Sequence, residues 1–143
     1  MSVVTTDPTH VAYRNSPSVT NDELNILFAA AWPNHEVRDF GPVLDRSLCF
    51  VCAYLEIRLV GFVNLAWDGG HHAFVLDTTV HPSAQRRGIG QQLVKRSAEA
   101  ARMQGVEWLH VDYEPRLQSF YAQCGFQTTK AGLLNLKRCQ DEV

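Results

Sequence analysis

Between Val80 and Gly90 the chain changes its period, and this change constrains the fold more than any other stretch. Ala73 to His81 is a short apolar run rich in β-formers, bounded ahead by Asp68-Gly69-Gly70. From Gly88 to Gln104 the apolar residues Ile89, Leu93, Val94, Ala98 and Ala101 fall on one helical face, and Gly105 supplies a stop. The loop between strand and helix reads Gln85-Arg86-Arg87-Gly88-Ile89-Gly90. The first turn of a helix leaves backbone N–H groups without intrahelical partners, and its dipole adds partial positive charge. Glycines let a ligand approach the backbone, so a strand–loop–helix of this kind is suited to cradle a phosphate. Arg86 and Arg87 add formal charge. A βα turn that needs glycines only for its geometry carries the same Gly88-x-Gly90, so that pair alone does not decide the matter.

The remaining chain supplies a mixed α and β pattern. Thr20-Asn21-Asp22-Glu23 has the form of a capping box, and Leu24, Leu27, Phe28 and Ala31 follow at helical spacing. Pro33 disfavours helix at Trp32 and ends the element. A second short helix is expected within 36–46 on Phe40, Val43 and Leu44, interrupted by Gly41-Pro42. Three strands are expected at 48–55, 59–67 and 73–81, joined by short links as an antiparallel meander. A further strand is expected at 108–113. Pro115 then opens a helix on Leu117, Phe120, Tyr121 and Cys124, with Gly125 beyond it. Two last strands are expected at 126–129 and 133–138. The order is α(α)βββαβαββ, an α+β or α/β mixed sheet in a single domain over 1–143. Residues 1–15 stand either as a first strand or as a partly disordered lead.

Composition removes several functional classes. Lys and Arg number 13 against 15 Asp and Glu, a net charge of −2, which argues against a nucleic-acid partner. No apolar run approaches the ~20 residues of a membrane span, and Met1 to Asn15 lacks the apolar core of a signal peptide. The expectation is a soluble, cytoplasmic protein without a membrane partner. Four cysteines include a lone Cys49-x-x-Cys52. On a strand these two residues point to opposite faces, so buried free thiols are expected and no metal site. His71-His72, beside Gly69-Gly70, reads as a solvated turn.

The string Val80-His81-Pro82, the loop Gln85 to Gly90 and the later Phe120-Tyr121-x-x-x-Gly125-Phe126 together resemble the GNAT superfamily of acyl-CoA-dependent N-acetyltransferases. The resemblance implies a central, mostly antiparallel sheet with one splayed pair of strands, and acetyl-CoA as co-substrate. It implies that the pyrophosphate of coenzyme A rests on the loop, here Gln85, Arg86, Arg87, Gly88, Ile89, Gly90 and Gln91. The pantetheine arm would pair with backbone near Thr79 and Val80, in a slot left by the strand at 108–112. Tyr121 would act as general acid on the leaving thiolate, a role a phenol can fill.

The base is less defined. Asp77, Asp112, Glu114, His81 and His110 fall near the implied cleft. Many members carry a glutamate where this chain has Phe74, so Asp77 or Glu114 acting through water is the expectation. The family often has asparagine where Glu114 stands. The acceptor is expected to be a small primary amine or a protein amine, with the small molecule favoured, and a homodimer is left open. Acids facing the cleft would favour a cationic, polyamine-like acceptor. Two other classes use the same features. A dinucleotide-binding oxidoreductase would use Gly88-x-Gly90 and place Asp112 on a ribose, but Leu93 stands where its third glycine belongs. A non-catalytic acyl-CoA-binding module remains as the alternative.

Overall fold

The computed structural model describes residues 10–138. The chain forms two compact units that divide between Val111 and Asp112. The first unit holds β1 (Val11–Asn15), α1 (Asn21–Ala31), α2 (Gly41–Asp45), β2 (Cys49–Leu55), β3 (Arg58–Trp67), β4 (His72–Val80), α3 (Ile89–Met103) and β5 (Trp108–His110). Its five strands lie in the order β1-β2-β3-β4-β5. Neighbours are antiparallel except β4 and β5, which are parallel. The second unit holds a 3-10 turn at Pro115–Leu117 and α4 (Gln118–Gln123).

The sheet is buried on both faces at its centre, and residue parity separates the two layers. Phe50, Cys52 and Phe62 join Leu24, Leu27, Phe28 and Phe40 in one apolar cluster under α1. Leu59 belongs to the same cluster because a bulge opposite Ala53 and Tyr54 restores its parity with Phe62. On the other face Gly61 lies beneath α3. A β-carbon built there would stand 3.0 Å from Leu93 Cδ1, 3.1 Å from Ala53 Cβ and 3.2 Å from Ile89 Cγ2. The absent side chain at this one position therefore sets how closely α3 approaches the sheet. Interiors are packed too densely to take up extra carbons without movement.

Helix ends follow local chemistry. Thr20 Oγ1 accepts from Glu23 N at 3.1 Å while Thr20 N donates to Glu23 Oε1 at 3.0 Å, completing the expected capping box. Trp32 is the C-terminal cap. The second helix is shorter than its expected span and begins at Gly41 with Pro42 in its first turn. Residues before it are strapped to α1 instead. Asn21 Oδ1 accepts from Phe40 N, and Asn25 holds both N and O of Arg38.

Three expected strands are corrected. The strand expected at 108–113 ends at His110, because its pairing with β4 stops at Phe74↔His110. The final strands expected at 126–129 and 133–138 are not formed, and the described residues there carry no strand. Leu133, Leu134 and Leu136 are exposed. An apolar run shows which side chains a strand would bury but does not supply the neighbouring edge that a strand needs. His72, read as part of a turn, is the first residue of β4.

Replacing Gly61 by valine should overpack the α3 face and lower stability by about 1–3 kcal/mol. The denaturation midpoint should fall with the slope unchanged. An unchanged midpoint would mean that α3 is free to move away.

Candidate active site

β4 carries the first half of the site. It pairs with β5 only through His72↔Trp108, Ala73↔Leu109 and Phe74↔His110, and from Val75 to Val80 it runs on without that neighbour. On its other edge β4 pairs with β3, with a bulge where Phe62↔Thr79 shifts to Asn64↔Leu76. Asp77 and Thr78 therefore stand opposite Val63 alone. Asp77 has φ of 58°, a left-handed conformation uncommon for a residue with a β-carbon.

The bulge is tied down from α1. Trp32 Nε1–H donates to Thr79 Oγ1 at 3.1 Å, and Thr79 Oγ1 donates to the Asp77 carbonyl at 2.8 Å. Thr79 is buried, and its hydroxyl donates its one hydrogen and already accepts one bond. The hydroxyl therefore has no hydrogen left to donate to a ligand, whereas the Thr79 backbone lies on the strand edge. The Asp77 carboxylate lies 3.5 Å from Arg38 Nη2, with both side chains nearly half exposed. Arg38 is itself held over the rings of Phe40 and Phe28, at 4.4 and 5.5 Å from their centroids. Trp32 and Arg38 were not legible as site residues, since neither lies in a motif.

The loop after β4 carries the second half. A 3-10 turn at Pro82–Ala84 is capped by His81, whose Nδ1 accepts from Ser83 N at 3.1 Å. Arg58 Nη2 donates to Ser83 Oγ at 3.0 Å. Partial burial, and then the charge of Arg58, hold the His81 imidazole below its ordinary pKa. That shift favours the neutral imidazole, whose Nδ1 caps the turn. Gln85 Nε2 reaches the Val80 carbonyl at 3.3 Å.

Arg86 at φ 67° and Gly88 at φ 76° are both left-handed, on either side of Arg87. Such alternation turns successive amides toward one concave side. Gly88 is the N-cap of α3, and its carbonyl accepts from Gln92 N at 3.1 Å. The amides of Ile89 and Gly90 precede that first rung of the ladder. Gln85, Arg86, Arg87 and Gly88 are exposed.

Asp112, Glu114 and Tyr121 belong to the second unit. Tyr121 is buried in an aromatic group. It stacks on Tyr113 at 5.0 Å between centroids and meets Phe120 and Phe126 edge-on. Glu114 precedes the 3-10 turn without a side-chain cap bond. Its Oε2 pairs with Arg116 Nε at 3.1 Å in an exposed position. Asp112 is exposed.

Cys49 and Cys52 are buried free thiols. Burial is the main cause that pushes the Cys52 thiol up to about 12. Cys139 lies outside the described residues. No helix among the described residues is long and apolar enough to cross a membrane.

A strand that diverges from its parallel neighbour beside a bulge, followed by an exposed left-handed loop and a helix start, is the arrangement implied for the acetyltransferases. A sequence profile described as the Acetyltransferase (GNAT) family matches residues 18–126. The chain belongs to the GNAT acetyltransferase family. It is 28% identical over 123 residues to the chloroplastic GCN5-related N-acetyltransferase 1 of Arabidopsis thaliana, covering 84% of this chain and 62% of that protein. It is 39% identical over 114 residues to glucosamine 6-phosphate N-acetyltransferase 1 of Oryza sativa subsp. japonica, covering 78% of this chain and 66% of that protein. The match thus spans a little under two thirds of either relative. Among solved structures, the aminoglycoside N-acetyltransferase AAC(6')-Iy in complex with CoA superposes with a TM-score of 0.71 at 21% identity, covering 91% of this chain and 96% of that one. That likeness establishes the α+β fold expected for this GNAT family member.

The depressed His81 pKa has a sign that can be tested. An unfolded imidazole takes up its proton first as pH falls, so protonation favours the unfolded chain. The wild type should lose stability relative to His81→Gln as pH drops below about 6.5. The loss should level off once the folded His81 also titrates. Parallel stability curves for the two proteins would remove this role.

Proposed function

We propose that this GNAT family member transfers an acetyl group from acetyl-CoA to a primary amine of a small molecule by direct attack in a ternary complex. The observation that carries the proposal is the exposed loop with left-handed Arg86 and Gly88 leading into the first turn of α3. The residues fit a pyrophosphate. Backbone donors, a helix N-terminus and the guanidinium groups of Arg86 and Arg87 all favour an anion there. In this reading Gln85 to Gln91 hold the pyrophosphate. The β4 edge near Thr79 and Val80 pairs with the pantetheine arm through backbone groups. The Gln85 contact to the Val80 carbonyl would then be exchanged for one to the arm. The names of the relatives support small amines as acceptors, since glucosamine 6-phosphate and aminoglycosides both carry them. The reading includes cytoplasmic location and one functional domain across both compact units.

The chemistry needs three things. A donor must stabilise the thioester oxygen as charge builds on it, which an unpaired strand amide can do. A proton must reach the departing thiolate, and we assign that to the Tyr121 hydroxyl. The acceptor amine arrives mostly as ammonium and must lose a proton. Asp77 or Glu114, through water, would receive it in the simplest account, although each is already paired with an arginine.

Acetyl-CoA should give saturable heat in titration calorimetry, and an amine screen should show thiol release. Tyr121→Phe should lower turnover about 100-fold or more with cofactor affinity nearly kept, as expected for loss of a general acid. Gly90→Leu should do the reverse, weakening coenzyme A at least about tenfold, roughly 1.4 kcal/mol. Binding without turnover on any amine would favour a non-catalytic acyl-CoA-binding module. Unchanged turnover in Tyr121→Phe would remove that residue from the mechanism.

A further inference from the structure

One face of the β4–β5 pair is uncovered at the point where the strands part. Residues in register across a parallel pair share a face, so His72 lies with Trp108 and Phe74 with His110, and Leu76 continues the row. The alternate residue Ala73 is buried on the opposite face. Phe74, Leu76 and Trp108 are 41%, 40% and 58% exposed. The His110 ring stacks on Phe74 with 4.6 Å between centroids, and its Nε2 lies 2.8 Å from His72 Nδ1. Phe74 occupies the position where the family resemblance implies a glutamate in many members. In its place an aromatic ring supports an imidazole.

Two neutral imidazoles own two ring hydrogens and two lone pairs. The bond between them uses one of each. One bare nitrogen and one N–H remain on the outside of the pair. When His110 Nε2–H donates to His72 Nδ1, the bare nitrogen is His110 Nδ1, and His72 orients it. This is the relation of a base to the group that holds it in place. The pair also sits at a telling place along β4. Phe74↔His110 is the last rung with β5 before β4 runs on toward Val80. Six residues of strand at the usual rise separate Phe74 from Val80, roughly 20 Å. An extended arm laid from the loop along that edge runs toward the imidazoles.

We infer that His110 is the base that deprotonates the acceptor amine, that His72 is its positioning residue, and that the amine carries an apolar body seated on Phe74, Leu76 and Trp108. This inference rests on the acetyl-transfer reading above. It replaces the two carboxylates as base and the polyamine-like acceptor expected from nearby acids. The ammonium gives one proton to His110 Nδ1, which later returns it to solvent. The freed lone pair forms the C–N bond at the thioester carbonyl. The C–S bond breaks with its electron pair on sulfur. The second proton lost from nitrogen is balanced by the one that sulfur gains. The ionisable groups around the pair are Asp68 and His71 in the turn before β4 and Glu107 before β5. The carboxylate of Asp68 accepts from His72 N at 3.3 Å. Asp77, further along β4, is paired with Arg38.

The test compares wild type with His110→Gln, His72→Gln and His71→Gln. Acetyl-CoA binding is measured first by calorimetry, and thiol release is then followed with phenylethylamine as probe acceptor across about pH 5.5–9, where imidazoles titrate. The wild type should lose kcat/KM as pH falls and the pair takes up a proton. His110→Gln should lower kcat/KM about 100-fold and abolish that acidic limb, with acetyl-CoA affinity kept. His72→Gln should shift the limb and lower kcat more than it changes KM. His71→Gln should match wild type. An acidic limb retained in His110→Gln at wild-type rate overturns the inference. So does a wild type that binds acetyl-CoA but releases no thiol with phenylethylamine. Absence of acetyl-CoA binding in the wild type would instead defeat the acetyl-transfer reading itself.

Discussion

A β-strand that loses its neighbour part-way presents a row of N–H and C=O groups that must find other partners or water. In this chain that strand is β4, which pairs with β5 only as far as Phe74 and continues to Val80. The features around it follow from holding that edge open toward the loop that begins α3. α3 packs against the opposite face, and it does so closely because Gly61 has no side chain. The helix start is thus fixed relative to the strand end by packing, and the short loop between them has little freedom to wander.

The bulge at Asp77 is the second consequence. A left-handed residue with a β-carbon costs roughly 1–2 kcal/mol, so something must hold it. The Arg38–Asp77 ion pair is nearly half exposed, and exposed pairs contribute typically 0–1 kcal/mol. The chain of bonds from Trp32 Nε1 through the buried Thr79 hydroxyl to the Asp77 carbonyl is the stronger restraint, because breaking it would strand a buried polar group. The asparagines of α1 work in the same direction. Asn21 and Asn25 bind the backbone of Phe40 and Arg38 and so carry the cationic side chain to the bulge. A helix on one face of the sheet thereby sets the geometry of an edge on another strand.

Much of this was legible in the residues. The capping box at Thr20, the apolar runs of β2 to β4, the stop at Gly105 and the helix after Gly88 all rest on local rules, and each stands where those rules place it. The loop from Gln85 to Gly90 was legible because charge, glycines and a change of period coincide there. Local rules failed where a partner decides the outcome. The runs at 126–129 and 133–138 have strand composition but form no strand among the described residues. Trp32, Arg38, His72 and His110 carry no motif, and they meet only because strand register and helix packing bring them together. The residues placed His110 near the implied cleft but read His72 as part of a turn, so the pair itself had no signal in the sequence.

The central claim is that the open edge of β4 and the loop beyond it grip a nucleotide-tailed thioester through main-chain groups. Backbone amide shifts of the isotopically labelled protein, followed during titration with coenzyme A, test this most directly. The account predicts saturable shifts largest at Arg86 to Gln91 and along Val75 to Val80, with the core of α1 unmoved. Shifts spread evenly over the surface, or none at millimolar ligand, would contradict it.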